Sequence, residues 1–218
     1  MTGAGPLAAP STAPAAAPSD SARSAASGWR HAANGAALVG ILALAAVVLH
    51  TAPDRELQQS AIVVPGAVGE QASGRNIAAT VHSVAVTETV TAGNGWAGST
   101  PGVWVVVDLS VQALVDDQGA PLGTAVLRVG DSGFSASIRP GDATVAAARL
   151  ATGIALNGPL MFELPADVVA GAAAGSARLE LAANSDPRVD SLIVVPIDLS
   201  VLEVQPSLDV AFPERGSR

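Results

Sequence analysis

The sequence predicts an all-β domain, a single antiparallel sandwich of seven or eight strands, preceded by one transmembrane helix and a disordered N-terminal tail. Three observations carry this prediction. An uncharged, mostly apolar run extends from Gly35 to Leu49. Downstream of it, apolar and polar residues alternate with a period of two, as in half-buried strands. Pro and Gly interrupt this alternation at short intervals, without the helices of about ten or more residues that a parallel βαβ sheet requires.

The first segment, residues 1–31, is predicted to be a disordered tail. Ala, Pro, Ser, Gly and Thr dominate its composition, so it offers little apolar surface to bury. A segment of this kind cannot offset the conformational entropy that it would lose on becoming ordered.

The second segment, residues 32–52, is predicted to cross the membrane as one helix. The apolar run alone would form a helix about 22 Å long, and its extension to Ala32 and Ala52 matches a hydrocarbon core of about 30 Å. After the run, the only stretch that ends in Ala is His50-Thr51-Ala52. Its bulky His50 is unsuited to signal cleavage, so an uncleaved anchor is favoured over a signal peptide.

The charges beside this helix predict its orientation. Arg23 and Arg30 precede it, whereas Asp54, Arg55 and Glu56 follow it. An excess of Arg on the first side predicts a cytoplasmic N-terminus and a C-terminal domain outside the cell membrane. The chain has no Cys, which excludes a lipid anchor on cysteine and disulfides in the exterior domain.

The exterior part is acidic. The 218-residue chain has a net charge of −8, and all eleven of its basic residues are Arg. Residues 53–218 hold nine Arg against eighteen acidic residues, a net charge of −9. Nucleic acid is therefore not an expected partner, since an acidic surface repels phosphate backbones. Arg without Lys, together with abundant Ala, Gly and Val, indicates a GC-rich, actinobacterial genome.

Residues 53–75 are interpreted as a stalk, with a possible short strand at the apolar patch Ile62-Val63-Val64, and residues 76–200 as the sandwich. The clearest strand of the sandwich extends from Val103 to Ala113, where every second residue is apolar. Asp116-Asp117-Gln118-Gly119 predicts the turn that follows this strand.

Seven further segments have the pattern of strands. In the first of them, Ile77–Val90, the positions of the apolar residues shift by one, which predicts a β-bulge near His82-Ser83. Residues 201–218 are predicted to be a C-terminal tail that could add one strand. The seven segments are Ile77–Val90, Thr124–Val129, Phe134–Ile138, Ala148–Ala155, Pro159–Leu164, Ala177–Ala182 and Val189–Ser200.

Four stretches of the sandwich resemble a known family when taken in order. They are Gly102-Val-Trp-Val-Val-Val-Asp-Leu-Ser-Val, Leu127-Arg-Val-Gly-Asp-Ser-Gly-Phe134, Gly158-Pro-Leu-Met-Phe-Glu-Leu-Pro165 and a closing strand around Leu192–Leu199. Together they resemble the immunoglobulin-like extracytoplasmic domain of unknown function found in Gram-positive lipoproteins and membrane-anchored proteins. The resemblance covers residues 76–200 and implies an immunoglobulin-like sandwich without cofactors or catalytic residues.

Three residues occur in the chain order of a chymotrypsin-like catalytic triad. They are His82, Asp108 and Ser132, the last within Gly130-Asp131-Ser132-Gly133. Only 24 residues separate Asp108 from Ser132, which leaves no room for the second barrel of such a protease. The tetrapeptide also has the composition of a hairpin turn. No catalytic residue is therefore predicted, and a cell-wall-directed hydrolase that uses His82 and nearby acidic residues stays as the alternative.

No metal or cofactor site is predicted either. A zinc site needs three or four ligands, and His82 is the single histidine of the exterior body. Asp116-Asp117 and the pair Asp186 and Asp190 could offer oxygen ligands to calcium. Neither fits the EF-hand pattern, and acidic turns are common on protein surfaces.

These observations predict a non-catalytic, single-pass, membrane-anchored binding or accessory module of the bacterial cell envelope. The expected partner, besides the membrane itself, is a membrane or envelope protein or a cell-wall polymer. Trp96 lies in a Gly-rich loop between two strands, and Trp104 lies opposite the apolar face of its strand. Both are candidate partner contacts, because an aromatic ring offers a large contact area. For Trp96 the alternative is a ring folded back over the edge of the sandwich.

Overall fold

The computed structural model describes residues 20–51, 60–115, 121–188 and 190–216. By its internal contacts the chain divides into two compact units, Met1–Asp54 and Arg55–Arg218. The turn predicted at Asp116–Gly119 lies outside the described residues.

Among its described residues, the N-terminal unit contains one helix, α1, which extends over Asp20–Thr51. Within it, the 22 residues Trp29–His50 have a mean hydropathy of 2.3 and are long and apolar enough to cross a membrane, a property that a signal sequence shares. The helix begins earlier than the predicted span, so residues 20–31 are helical rather than part of a disordered tail. Ala, which has the highest helix propensity, recurs in this stretch and continues the helix toward the N-terminus.

The described residues of the second unit form mostly strands, with one short helix, α2 (Ala166–Val169), and several 3₁₀ turns. Its strands are β1 (Ile62–Pro65), β2 (Gln71–Ser73), β3 (Ile77–Ala92), β4 (Ala97–Ala113), β5 (Thr124–Val129), β6 (Ser132–Ser135), β7 (Leu156–Leu164), β8 (Ala177–Ala182), β9 (Ser191–Ile197), β10 (Val204–Val210) and β11 (Glu214–Arg215).

The strands form two sheets. The order in the first sheet is β1-β9-β8-β5-β6, and the order in the second is β10-β3-β4-β7-β11, with β2 also paired to β3. Neighbouring strands are antiparallel, except that β1 pairs in parallel with β9 and β10 with β3. The prediction of two largely antiparallel sheets is confirmed, while the immunoglobulin-like assignment stays a prediction.

The strand-forming region is longer than the predicted 76–200. Strands β1 and β2 come from the predicted stalk, and β10 and β11 come from the predicted tail. The segment Ala148–Ala155, predicted as a strand, forms only isolated bridges in the structure. Gly153 adopts a φ of 70° in this segment, which is incompatible with a regular strand.

The two sheets share one apolar core. Its largest fully buried strand residues are Leu127, Leu179, Leu181 and Ile193 in the first sheet and Ile77, Leu109, Leu160, Leu164 and Phe162 in the second. The predicted apolar face of β4 is buried here, with Val105 and Val107 fully inaccessible to solvent. The bulge predicted near His82 is also confirmed, because the pairing of β3 with β4 shifts register between Val81 and Ser83.

The hairpin formed by β3 and β4 must bend back over the outer face of the second sheet. Val210, the last residue of β10, pairs with Ala92 of β3. Glu214, the first residue of β11, pairs with Asn157, which lies level with Thr80 of β3 across the sheet. In a straight hairpin Ala92 and Thr80 would lie about 40 Å apart. The four peptide steps from β10 to β11 span at most about 14 Å. Only a bend can reconcile the two distances.

The bend coincides with the second register shift of the hairpin. The single residue Glu88 of β3 lies opposite four residues of β4, Thr100–Val103. A Cβ at Gly102 would overlap the backbone carbonyl of Leu164, so this position requires a glycine. The bend folds the hairpin tip and β10 over the sheet and creates the surface that contains the candidate site.

Candidate functional site

A second, smaller apolar cluster lies on the face of the second sheet that points away from the main core. We call it the outer cluster; its buried members are Val90, Trp104, Val106 and Met161, and its half-buried members are Trp96, Leu208 and Val210. Alternation along β4 explains it, because Trp104 and Val106 point outward where Val105 and Val107 point inward.

Trp96 is folded back onto the hairpin. A Cβ at Gly98 would overlap the Trp96 ring, which therefore lies against the backbone of that glycine. The ring meets Trp104 edge to face, with centroids 5.7 Å apart and planes at 85°. The backbone N–H of Trp96 donates to Asn94 Oδ1 at 2.9 Å, which fixes the loop. Trp96 thus adopts the alternative considered from the sequence, a ring folded back over the β sheet, and part of its surface stays exposed.

Trp104 has no solvent-exposed surface. The guanidinium of Arg139 lies 5.5 Å from its ring centroid and is held there by a 2.6 Å ion pair with Glu163. Among the described residues, Trp104 Nε1 has no hydrogen-bond partner. A fully covered ring cannot contact a partner, so Trp104 is not a contact residue in this conformation.

A groove of about 250 Å³ adjoins the outer cluster, between the bent hairpin, the centre of the sheet and the end of β10. Its walls are mostly apolar, with the two carboxylates of Asp108 and Asp209 and the hydroxyl of Ser83 among them. The described lining residues are Ser83, Ala85, Val106, Asp108, Pro159, Leu208, Asp209, Val210 and Ala211.

His82 contacts a serine that the sequence did not single out. Its Nε2 lies 2.6 Å from Ser110 Oγ, and Ser110 Oγ in turn donates to Asn157 Oδ1. The orientation of the Asn157 amide is fixed, because its Nδ2 donates to the backbone carbonyls of Glu214 and Gly216, at 3.3 and 2.8 Å. Asn157 therefore ties the C-terminal strand to the sheet.

The proton of Ser110 points away from His82. A hydroxyl carries one proton, and the Asn157 oxygen receives it, so His82 Nε2 must be the donor in its bond with Ser110. A serine nucleophile needs the opposite arrangement, in which histidine accepts the hydroxyl proton. In this arrangement the contact links two strands and is not an activated nucleophile.

The three residues of the candidate triad are not gathered in one strand pair. His82 and Asp108 belong to the second sheet, whereas Ser132 opens β6 at the edge of the first sheet. Ser132 pairs with Val129 across a tight turn, in which Gly130 has a φ of 57°. The hairpin-turn interpretation of Gly130–Gly133 describes this segment.

Of the acidic candidates for calcium, Asp186 and Asp190 have other partners, whereas Asp116 and Asp117 lie outside the described residues. Asp190 is buried, with 7% of the residue exposed. Its carboxylate accepts hydrogen bonds from Asn76 Nδ2 at 2.8 Å, from Asn184 Nδ2 and from the backbone N–H of Ser191. Exposed Asp186 pairs instead with Arg188, whose hydrogen bonds lower the pKa of that carboxyl. Within the described parts of the chain, no group of three or more His, Asp or Glu could hold a metal ion.

Comparisons with known proteins add no family. No protein-family model matches the chain, and no curated protein matches it. A candidate lipoprotein from Staphylococcus aureus subsp. aureus NCTC 8325 shows structural similarity with a TM-score of 0.42 and 11% identity. The match covers 66% of this chain and 97% of that one. A likeness of this strength carries no argument about function.

Proposed function

We propose that this chain is a non-catalytic, single-pass, membrane-anchored module that binds a protein or polymer of the bacterial cell envelope. The observation that carries the proposal is the groove beside the outer cluster, an amphipathic recess on a β unit that follows a helix long enough to span a membrane. Concave, mostly apolar recesses with a few polar groups are the usual form of binding sites.

The anchor is proposed to remain attached, with its N-terminus in the cytoplasm and the β unit outside. Arg23 and Arg30 before the helix and the poor cleavage site after it support this orientation. Protease added to intact spheroplasts should degrade a C-terminal epitope and spare an N-terminal one. A soluble form in the medium that begins near Asp54 would contradict the anchor.

The β unit is proposed to be a variant of the immunoglobulin-like sandwich. Two mainly antiparallel sheets around one shared core support this assignment. The parallel strands β1 and β10 are then additions at the sheet edges. An experimental structure in which the connections between the sheets are not of the Greek-key type would contradict it.

The binding function is tested by crosslinking at the groove. A photo-crosslinking residue in place of Ser83, which is exposed and lines the groove, should capture one specific partner in intact cells. The matched control is the same residue at Asp131, an exposed position in the β5–β6 turn of the other sheet. Equal capture at both positions, or none at Ser83, would contradict a binding role for this face.

A hydrolase is the second candidate, and the 2.6 Å contact between His82 and Ser110 is the observation that favours it. Ser110 donates its hydroxyl proton to Asn157 and not to His82, which argues against a serine hydrolase. Peptidoglycan zymography and esterase assays on the wild type, His82→Ala and Ser110→Ala decide between the two. Activity that both variants lose would establish the hydrolase.

A further inference from the structure

We infer that the outer face of the first sheet rests on the surface of the lipid bilayer, with Arg128 and Arg178 against lipid phosphate groups. This inference rests on the proposed anchor, because only an attached helix keeps the β unit beside a bilayer. It follows from the apolar surface of this face, from its charge and from the short chain segment between the helix and β1.

The first sheet has one face in the main core and one face outside it. Leu127, Leu179 and Ile193 point inward, so their neighbours along each strand point outward. This first-sheet outer face lies on the opposite side of the main core from the groove, which would therefore face away from the bilayer. The outward residues that carry the inference are Val63, Leu192, Val194, Arg178, Glu180 and Arg128.

Strands β1 and β9 are apolar on both faces. Ile62–Pro65 reads IVVP, and Ser191–Ile197 reads SLIVVPI. Continuous apolar strands of this kind are typical of sheets that are covered on both faces, whereas a sheet open to water alternates apolar and polar residues. Yet Val63 is 59% exposed, Leu192 and Val194 are half-buried, and none of the three belongs to the main core or the outer cluster. These strands are therefore suited to an additional cover on their outer side.

The two sheets carry opposite charge. The strands of the first sheet hold Arg128 and Arg178 against Glu180, a net charge of +1. The strands of the second sheet hold five acidic residues against one Arg, a net charge of −4. An anionic bilayer attracts the first sheet and repels the second, so this field turns the first-sheet outer face toward lipid. The acidic residues of the second sheet are Glu88, Asp108, Glu163, Asp209 and Glu214.

The arginine pair keeps donors for a second anion. Arg128 and Arg178 lie directly opposite each other on neighbouring strands, which is unfavourable unless an anion lies between them. The buried carboxylate of Glu180 fills this role and accepts from the Nε atom of each arginine, at 3.0 and 3.1 Å. Among the described residues, the Nη groups of both arginines make no hydrogen bond. Guanidinium N–H groups of this kind bind phosphate oxygens strongly.

The chain segment before β1 favours the bilayer over other covers. Ile62 follows Thr51, the last residue of α1, by eleven residues. Such a segment spans at most about 40 Å. A short tether keeps the β unit at a high effective concentration beside the bilayer that α1 is proposed to span, so weak contacts are enough. A second copy stacked on the same face would instead bring two net-positive patches together.

The test uses the full chain, one copy in each lipid nanodisc, in a mixture of phosphatidylcholine and phosphatidylglycerol. Because the chain has no Cys, one introduced cysteine can carry a fluorophore. Val63→Cys labels the first-sheet outer face, and Ser83→Cys, an exposed position in the groove of the second sheet, is the matched control. Nitroxides on the lipid headgroups quench a fluorophore that touches them. We expect at least about threefold stronger quenching for Val63→Cys than for Ser83→Cys, and weaker quenching at high salt.

Charge variants locate the effect. Arg128→Gln and Arg178→Gln each remove one charge and leave the other arginine on Glu180. Each should lower the ratio of docked to undocked protein about fivefold, the effect of one basic residue at an anionic surface. Arg215→Gln, the matched control on the second sheet, should change this ratio less than about twofold, because its distance from the bilayer allows screening.

The thermal midpoint shows whether each variant is folded. If neither arginine variant folds, nanodiscs of phosphatidylcholine alone test the same charge with the wild-type chain. The ratio of docked to undocked protein should fall there as well, because the bilayer then has no net charge to attract the first sheet.

Three results would overturn the inference. They are equal quenching of the two labels, an equal loss in Arg215→Gln and the first-sheet variants, and a fluorescence change in Val63→Cys only when two chains share a nanodisc. The last result would assign this face to a second copy. Failure of the proposed function is distinct from these results. If the spheroplast assay shows an attached, exterior β unit while the label at Val63→Cys escapes quenching, the anchor stands and only docking fails. A soluble form that begins near Asp54 would remove both.

Discussion

Strand β4 separates two apolar regions that are built in different ways. Its inward residues, such as Val105 and Val107, join a core to which both sheets contribute many aliphatic side chains. Its outward residues, Trp104 and Val106, join a cluster that is closed by a bent hairpin tip, strand β10 and the side chain of Arg139. The first region defines the fold, whereas the second shapes a surface. Truncations in either region should therefore destabilise the β unit, but only those in the second should also alter the face that carries the groove.

The largest expected effect separates two neighbouring residues of β7. Phe162 belongs to the main core and Met161 to the outer cluster, and both are fully buried. Phe162→Ala should cost about 3–5 kcal/mol of the free energy of unfolding, and Met161→Ala about 2–3 kcal/mol, because the outer cluster can collapse toward solvent. Chemical denaturation of both variants measures this difference.

The methyl NMR spectra of these variants provide the control. Met161→Ala should shift the signals of Val106 and Leu208 beside the groove and leave those of Leu127 and Ile193 in place. If both variants lost the same stability and perturbed the same residues, the two regions would be one cooperative core.

The main core could be predicted from the sequence because its signal is local. The alternation from Val103 to Ala113 and the change of phase near His82 are visible within single segments. The outward direction of Trp104 follows from the same alternation. The burial of Trp104 does not follow from the alternation, because the groups that cover its ring, Arg139 and the folded-back Trp96, come from other parts of the chain.

The pairing of the added strands could not be predicted from the sequence, for a related reason. Strands β1 and β10 pair in parallel with strands that are distant in sequence, and their own segments are short and contain Pro65 and Pro206. Period-two alternation is weak in such segments, so the sequence predicts a stalk and a tail with at most one short strand in each. The groove depends on the bend and on β10, and for this reason the sequence singled out Trp96 but not Asp209.

A smaller effect tests how the outer cluster is closed. Gly98→Ala places a methyl group where the Trp96 ring lies, so the ring must leave the backbone. Overpacking of this kind costs about 1–3 kcal/mol. The near-ultraviolet circular dichroism of the coupled Trp96 and Trp104 rings should weaken at the same time.

The control is the same change in a Trp96→Ala background. There the added methyl group has no ring to displace, so Gly98→Ala should cost less than about 0.5 kcal/mol, a clear departure from additivity. Equal costs in both backgrounds would show that the glycine is needed for its backbone and not for the ring.

A still smaller net effect is expected for Trp104→Phe. The buried Nε1–H of Trp104 has no partner among the described residues, and such a group costs about 1–3 kcal/mol. Phe removes this penalty but leaves a cavity, so the two effects should nearly cancel, to within about 1 kcal/mol. Trp104→Ala, the matched control, loses the whole ring and should cost about 3–5 kcal/mol. A loss above about 2 kcal/mol for Phe would indicate that a buried water satisfies the indole.

The smallest effect lies outside both apolar regions, at the exposed pair of Asp186 and Arg188. The hydrogen bond from the Arg188 side chain, followed by that from its backbone, lowers the pKa of the Asp186 carboxyl from its ordinary value of 3.8. A lowered pKa stabilises the folded state at a pH above 3.8, and this contribution disappears as the pH falls through the folded-state value. Carboxyl NMR titration should place the Asp186 pKa below 3.8, and Arg188→Gln should raise it toward that value, but not fully, because the backbone N–H at position 188 still donates to Asp186 Oδ1. Because both side chains are exposed, salt should raise the Asp186 pKa in the same direction by screening the charge interaction, and neither change should move the methyl signals of the main core or the outer cluster. A shift of those signals in Arg188→Gln would mean that the loop before β9 is coupled to the apolar regions, and the division between fold and surface would have to be redrawn there.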